Sequence, residues 1–182
     1  MNKPLIAREE FRWSIRKKGK HVFNVCTQFV ALHALAFVFM ASSATVAHAN
    51  PTGGTVAAGS ATITSSGSEL DINQTSDRAV INWGTFDIAH GETTKFIQPG
   101  VNSLALNRVT TSGQISTING NLLANGHVII INPNGVLIGP HGNVDVAGFV
   151  ASSADIADSA FMNGTSVLQF DKAGNENAVV EN

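Results

Sequence analysis

The chain has 182 residues, with 11 Lys and Arg against 13 Asp and Glu, and it carries one cysteine. One thiol cannot staple a chain, so stability must come from packing and backbone hydrogen bonds. A formal net charge of −2 also gives no reason to expect a nucleic-acid partner.

The first segment in the chain is basic, with Lys3, Arg8, Arg12, Arg16, Lys17, Lys18 and Lys20. An apolar run follows over residues 25–41, and small residues end it at Ala47-His48-Ala49. A basic region, an apolar core and an A-x-A site together predict a secretory signal peptide over residues 1–49, cleaved between Ala49 and Asn50. The apolar run is short for a membrane span and is interrupted by Gln28 and His33, which disfavours an anchor. The basic region is extended and includes Glu9, Glu10, Phe11 and Trp13, a length that suits slowed or routed export. Cleavage would remove Cys26 and leave four cations (Arg78, Lys95, Arg108, Lys172) against eleven carboxylates, a net charge of about −7. Four scattered cations cannot form the basic patch that nucleic acid requires.

Residues 50–182 form the expected mature domain. Residues 50–67 are rich in Gly, Ala, Ser and Thr, with weak strands expected around 55–57 and 61–64. Residues 69–73 alternate polar and apolar, the signature of a half-buried strand. Strands follow at 79–83, with Phe86-Asp87-Ile88 resuming after Gly84, and at 94–98, closed by Pro99-Gly100. The pattern continues through 104–106 and Val109, punctuated by Gly113, Asn119-Gly120 and Asn125-Gly126. Residues 128–131, 136–138 and 144–146 are short, β-branched and apolar, and start eight residues apart. Between the first two stands Asn132-Pro133-Asn134-Gly135. Asn suits position one of a type I turn, Pro presets φ at position two, Asn tolerates position three and Gly is favoured at position four. Residues 153–161 could form one or two helical turns, 167–170 is a further strand candidate and 171–177 reads as a polar loop.

No window after Asn50 sustains a 3.6-residue period, so the domain reads as all-β. A sandwich and a solenoid both fit the strand spacing. Asn-Gly pairs favour hairpins. Residues 128–131, apolar on both faces, favour buried parallel strands. A solenoid with roughly 20–25 residues per repeat would hold about five coils.

Sites for chemistry are weak. Asp145, Asp155 and Asp158 are the carboxylates a polysaccharide-cleaving β-helix would use, but without basic or aromatic neighbours they read as a solvated acidic edge. His90, His127 and His141 each adjoin a Gly in a turn, without metal-ligand spacing. No catalytic residue, cofactor or metal site is assigned. Asn73 and Asn163 begin N-x-T sequons, a short pattern that arises by chance.

The ordered set "AVINWGTFDI" (79–88), "FIQPGVNSLALNRVT" (96–110), "GNLLANGHVIIINPNGVLIG" (120–139) and "GFVASSADI" (148–156) closely resembles the secretion domain of two-partner secretion exoproteins. This is the haemagglutination-activity domain of filamentous haemagglutinin-like and high-molecular-weight adhesins, and the long leader resembles theirs. The resemblance implies a right-handed parallel β-helix with N-terminal capping strands. It implies Sec export, recognition in the periplasm by an outer-membrane β-barrel transporter with POTRA domains, passage unfolded, and folding outside a Gram-negative cell. The N-P-N-G-[IV] motif of the family corresponds to Asn132, Pro133, Asn134, Gly135 and Val136. The upstream N-P-N-L of some subclasses is missing; the zone from Gln98-Pro99-Gly100 to Asn107-Arg108 stands in its place, nearer the adhesin type. Trp83, Phe86, Asn107 and Arg108 are the expected packing or transporter-contact residues. Family exoproteins are usually longer, so a truncated chain is expected, with effector activity such as binding host surface glycans lying downstream. The alternatives are a β-helix enzyme or a free-standing carbohydrate-binding adhesin.

Overall fold

The computed structural model describes residues 49–182 except Ser112, Thr165 and Ser166. The expected basic region and apolar run of the leader lie outside the described residues, as does part of the Asn163 sequon.

Thirteen strands and one short helix are described: β1 (Thr55–Ala58), β2 (Ala61–Ser66), β3 (Glu69–Gln74), β4 (Arg78–Trp83), β5 (Thr93–Ile97), β6 (Leu104–Val109), β7 (Ser116–Ile118), β8 (Asn121–Ala124), β9 (His127–Ile131), β10 (Gly135–Ile138), β11 (Asn143–Asp145), β12 (Gly148–Ser152), α1 (Asp158–Met162) and β13 (Val179–Glu181). They make three sheets, ordered β1-β4-β6-β9-β12, β13-β10-β7 and β11-β8-β5-β3-β2. From β3 onward, successive strands of the chain belong to different sheets, and each pairs in parallel with its counterpart one coil away. The domain is therefore a parallel β-helix. Only β1 on β4 and β2 on β3 are antiparallel among the named strands, and they cap the N-terminal end.

The alternation within each strand explains this architecture. Ile81, Ala105, Val109, Val128 and Ile130 point inward with Ile72, Trp83, Phe86, Phe96 and Leu122 to form one core. The opposite face of the same sheet carries Val80, Leu106, Ile129 and Ile131. That outer face is covered by Ile156, Phe161, Leu168 and Phe170 from the segment after β12. Two apolar faces on residues 128–131 thus follow from burial on both sides of a parallel sheet. Fully burying a side chain such as Phe161 or Ile156 contributes about 1.5–3 kcal/mol, which is what holds the covering segment down.

Four expectations need correction. The solenoid has about three turns, not five, because residues 55–66 are spent on the cap and residues 153–178 leave the coils before β13 returns to pair with β10. Residues 168–170 form no strand; Leu168 and Phe170 instead pack on the outer cluster. Residues 86–88 make only an isolated bridge, Ile88 to Ile118. Asn119-Gly120 and Asn125-Gly126 turn corners between parallel strands rather than closing hairpins.

Candidate functional site

Asn132-Pro133-Asn134-Gly135 joins β9 to β10. Gly135 N–H donates to the Asn132 carbonyl at 2.9 Å, closing a four-residue turn. Asn134 has negative φ, as type I requires and type II forbids. Asn132 is fully buried. Its Nδ2 donates to the Gln114 carbonyl (2.9 Å) and to Ser116 Oγ (3.0 Å), while its Oδ1 accepts Asn134 N–H at 2.9 Å. One amide therefore both shapes the turn and ties it to the coil before it. On the other side, Asn175 N–H donates to the Pro133 carbonyl at 2.9 Å, and Asn175 Nδ2 donates to Asn134 Oδ1. Gly135 has φ +117°, and a Cβ there would stand 2.4 Å from the Val179 carbonyl oxygen. Pro133 and Asn134 are half-buried.

Trp83, Phe86 and Asn107 are interior. The two rings meet edge to face, with centroids 5.6 Å apart at 85°. Asn107 occupies the inward column between Ile81 and Ile130. Its Oδ1 accepts Trp83 Nε1–H at 3.0 Å, and its Nδ2 donates to the Ala105 and Ile129 carbonyls at 3.3 Å each. A buried amide is tolerated there because both ends are satisfied.

Arg108 faces outward from β6. It donates from Nε to Asp155 Oδ1 and from a terminal nitrogen to Asp158 Oδ1, both at 2.8 Å, and from the other to the Ile156 carbonyl at 2.8 Å. Burial pulls the guanidinium pKa down, but hydrogen bonding and charge from Asp155 and Asp158 outweigh it, so the net shift is upward. Asp155, with its side chain 20% exposed, is therefore not a solvated edge residue; it is an ion-pair partner. Asp155 and Asp158 clamp one arginine, while Asp145 stands on β11 beside a shallow groove with Lys95 and Ile97. This is not the geometry of two carboxylates flanking a scissile glycosidic bond. Asp87 has its pKa raised by burial, against a lowering hydrogen bond from Thr117 N–H at 2.9 Å.

Among the described residues no group of three His, Cys, Asp or Glu could hold a metal ion. His90 and His141 are exposed, edge to face at 4.8 Å between ring centroids. His127 is half-buried against Gly148, not a free surface ring.

The entry of the chain was not singled out beyond the cleavage site. Ala49 N–H donates to both carboxylate oxygens of Glu92, at 2.9 and 3.1 Å, and Asn50 is buried. A corner ladder was also missed. Gln98 Nε2 donates to Gln74 Oε1 at 3.1 Å, and Asn125 exchanges hydrogen bonds with the Gln98 backbone at 2.7 and 2.8 Å. Polar residues at the ends of apolar strands were the only signal for either.

A sequence-family model described as the TPS secretion domain matches residues 47–182. A heme/hemopexin-binding protein of Haemophilus influenzae (strain ATCC 51907 / DSM 11121 / KW20 / Rd) is 41% identical over 106 residues, 58% of this chain and 12% of that protein. A second heme/hemopexin-binding protein of that species is 43% identical over 88 residues, 48% of this chain and 9% of that protein. The crystal structure of the HMW1 secretion domain from Haemophilus influenzae superposes with a TM-score of 0.63 at 34% identity, covering 72% of this chain and 34% of that one. Members of this family are exported exoproteins of Gram-negative bacteria with a cognate outer-membrane transporter. The chain belongs to the TPS secretion-domain family of two-partner secretion exoproteins.

Proposed function

We propose that residues 50–182 are the address by which a larger adhesin or haemagglutinin-type exoprotein leaves the cell, and the nucleus on which it folds outside. Sec delivers the chain to the periplasm and the leader is removed after Ala49. The still-extended domain pairs there with the POTRA domains of its transporter, by strand addition to an exposed sheet edge. Outside, coils close one after another, since a solenoid coil contacts only its neighbours.

The observation that carries this reading is the Asn132 side chain, whose bonds to Gln114, Ser116 and Asn134 let the third coil close on the second without any outside group. Pro133 and Asn134 do not reach solvent as an open loop, so the turn serves coil closure rather than catalysis. No catalytic role is assigned, and Asp155 and Asp158 are committed to Arg108. Heme/hemopexin binding names a relative of which the match covers 12%, and it is not assigned to these residues.

The test is co-expression of the chain with its transporter. Replacing Asn134 and Gly135 with valine, which resists the turn, should leave the leader-cleaved chain in the periplasm and deplete the medium. Normal amounts of the variant in the medium would show that coil closure at this turn is not needed for transport.

A further inference from the structure

The chain enters the cap through Ala49 and Asn50, and both are gripped. Glu92, on a residue only 5% exposed, receives Ala49 N–H on both oxygens at 2.9 and 3.1 Å and Ala89 N–H at 3.1 Å. One residue on, Asn50 Nδ2 donates to the Ser68 carbonyl at 2.9 Å, and its Oδ1 accepts the Thr94 hydroxyl at 3.1 Å. Thr94 is fully buried and Pro51 is buried, so position 50 is fixed from several directions. The turn that carries Glu92 is itself seated on the next coil. Asn121 N–H donates to the Glu92 carbonyl, and a Cβ at Gly120 would stand 2.5 Å from that oxygen.

We propose that Glu92 is the docking carboxylate for the α-ammonium that leader removal creates at Asn50, so that the N-terminal cap locks on a processed chain. This rests on cleavage after Ala49, the leader reading given above. Hydrolysis of the Ala49–Asn50 peptide consumes one water and leaves a carboxylate on Ala49 and an ammonium on Asn50. The Ala49 N–H then leaves Glu92 with the leader. Adjacent Cα atoms are about 3.8 Å apart, so the new ammonium starts within one peptide unit of the site the amide held. An ammonium brings three donors and a full charge, and a charge-assisted bond to a carboxylate is roughly twice as strong as a neutral one. The same geometry sets an order of events. A peptidase needs the scissile bond extended and accessible, and in the closed cap Asn50 and Pro51 are buried. Cleavage therefore precedes closure, and closure then secures the cut end.

The test uses the full 182-residue chain, exported and processed in cells, then recovered. Sequencing its first residue tests the leader reading first, because a terminus other than Asn50 overturns that reading and this proposal with it. With Asn50 established, the rate of α-amine acetylation is followed against pH, folded and in urea. Docking predicts a folded α-amino pKa at least about one unit above the unfolded value of roughly 7.7–8.0. It also predicts that Glu92→Gln removes the shift. An α-amine that reacts in the folded protein as it does in urea overturns the proposal while leaving the cleavage site intact. The wild-type comparison alone decides the matter if Glu92→Gln does not fold.

Discussion

Asn132 concentrates more of this fold than any other polar side chain in the coil-closing turn, because three hydrogen bonds converge on one buried amide. Asn132→Ala should cost about 2–4 kcal/mol, since it removes those bonds and strands buried partners; urea unfolding of the mature domain checks it. Asp87 gives a pH signature. Burial holds its folded pKa above the ordinary aspartate value of 3.8, so its contribution to stability is present below 3.8 and is lost as pH rises through the folded value. Asp87→Asn keeps an acceptor for Thr117 N–H and removes the buried charge. The variant should melt higher than wild type at neutral pH, and the gap should close toward pH 3.8. Equal melting curves across that range would show that Asp87 is no more costly to ionise than in the unfolded chain. The turn chemistry of residues 132–135 was legible in the sequence, because each of its four residues suits its position locally. Glu92, Gln74 and Gln98 were not, because their partners lie 24 or more residues away in the chain or form through a turn that only stacking creates.

At the scale of elements, α1 cannot stand alone: five residues without a side-chain N-cap are far below the length of a self-sustaining helix. It is held by Phe161 in the outer cluster, by Arg108 on Asp155 and Asp158, and by Arg78, which donates to the Phe161 carbonyl and lies over its ring at 5.2 Å. Arg108→Met should cost about 1–3 kcal/mol, less than a fully buried pair would because Asp158 is 44% exposed. Its clearest readout is faster proteolysis between residues 153 and 172 with β3 to β9 still protected; an unchanged cleavage rate would show that the apolar contacts alone hold the segment. The strands themselves were readable from alternation, as at residues 69–73, where burial follows the period of two in β3. Their partners were not. The stack of Asn143 on Asn121 spans 22 residues but that of Asn121 on Thr93 spans 28, so no fixed repeat marks the coils. Irregular corners absorb the difference.

For the whole domain, protection against hydrogen exchange should grade along the coil axis. The columns Val80–Leu106–Ile129 and Ile81–Asn107–Ile130 sit in the middle of the sheet with packing on both faces, and should exchange last. β13, whose three residues are all exposed, should exchange first. Uniform protection would mean the coils open as one unit rather than in sequence.

The antiparallel cap has a consequence for how such a molecule meets its own kind. β1 and β2 are the edge strands at one end of two sheets, and each runs against its neighbour, so the strand direction of the coils is reversed at that end. At the other end β11 and β12 are edge strands in parallel register, above a floor of Val136, Ile138, Phe149 and Ala151. Among the described residues the domain is thus a primer with two unlike ends: β11 and β12 continue the direction of the coils, and the cap reverses it.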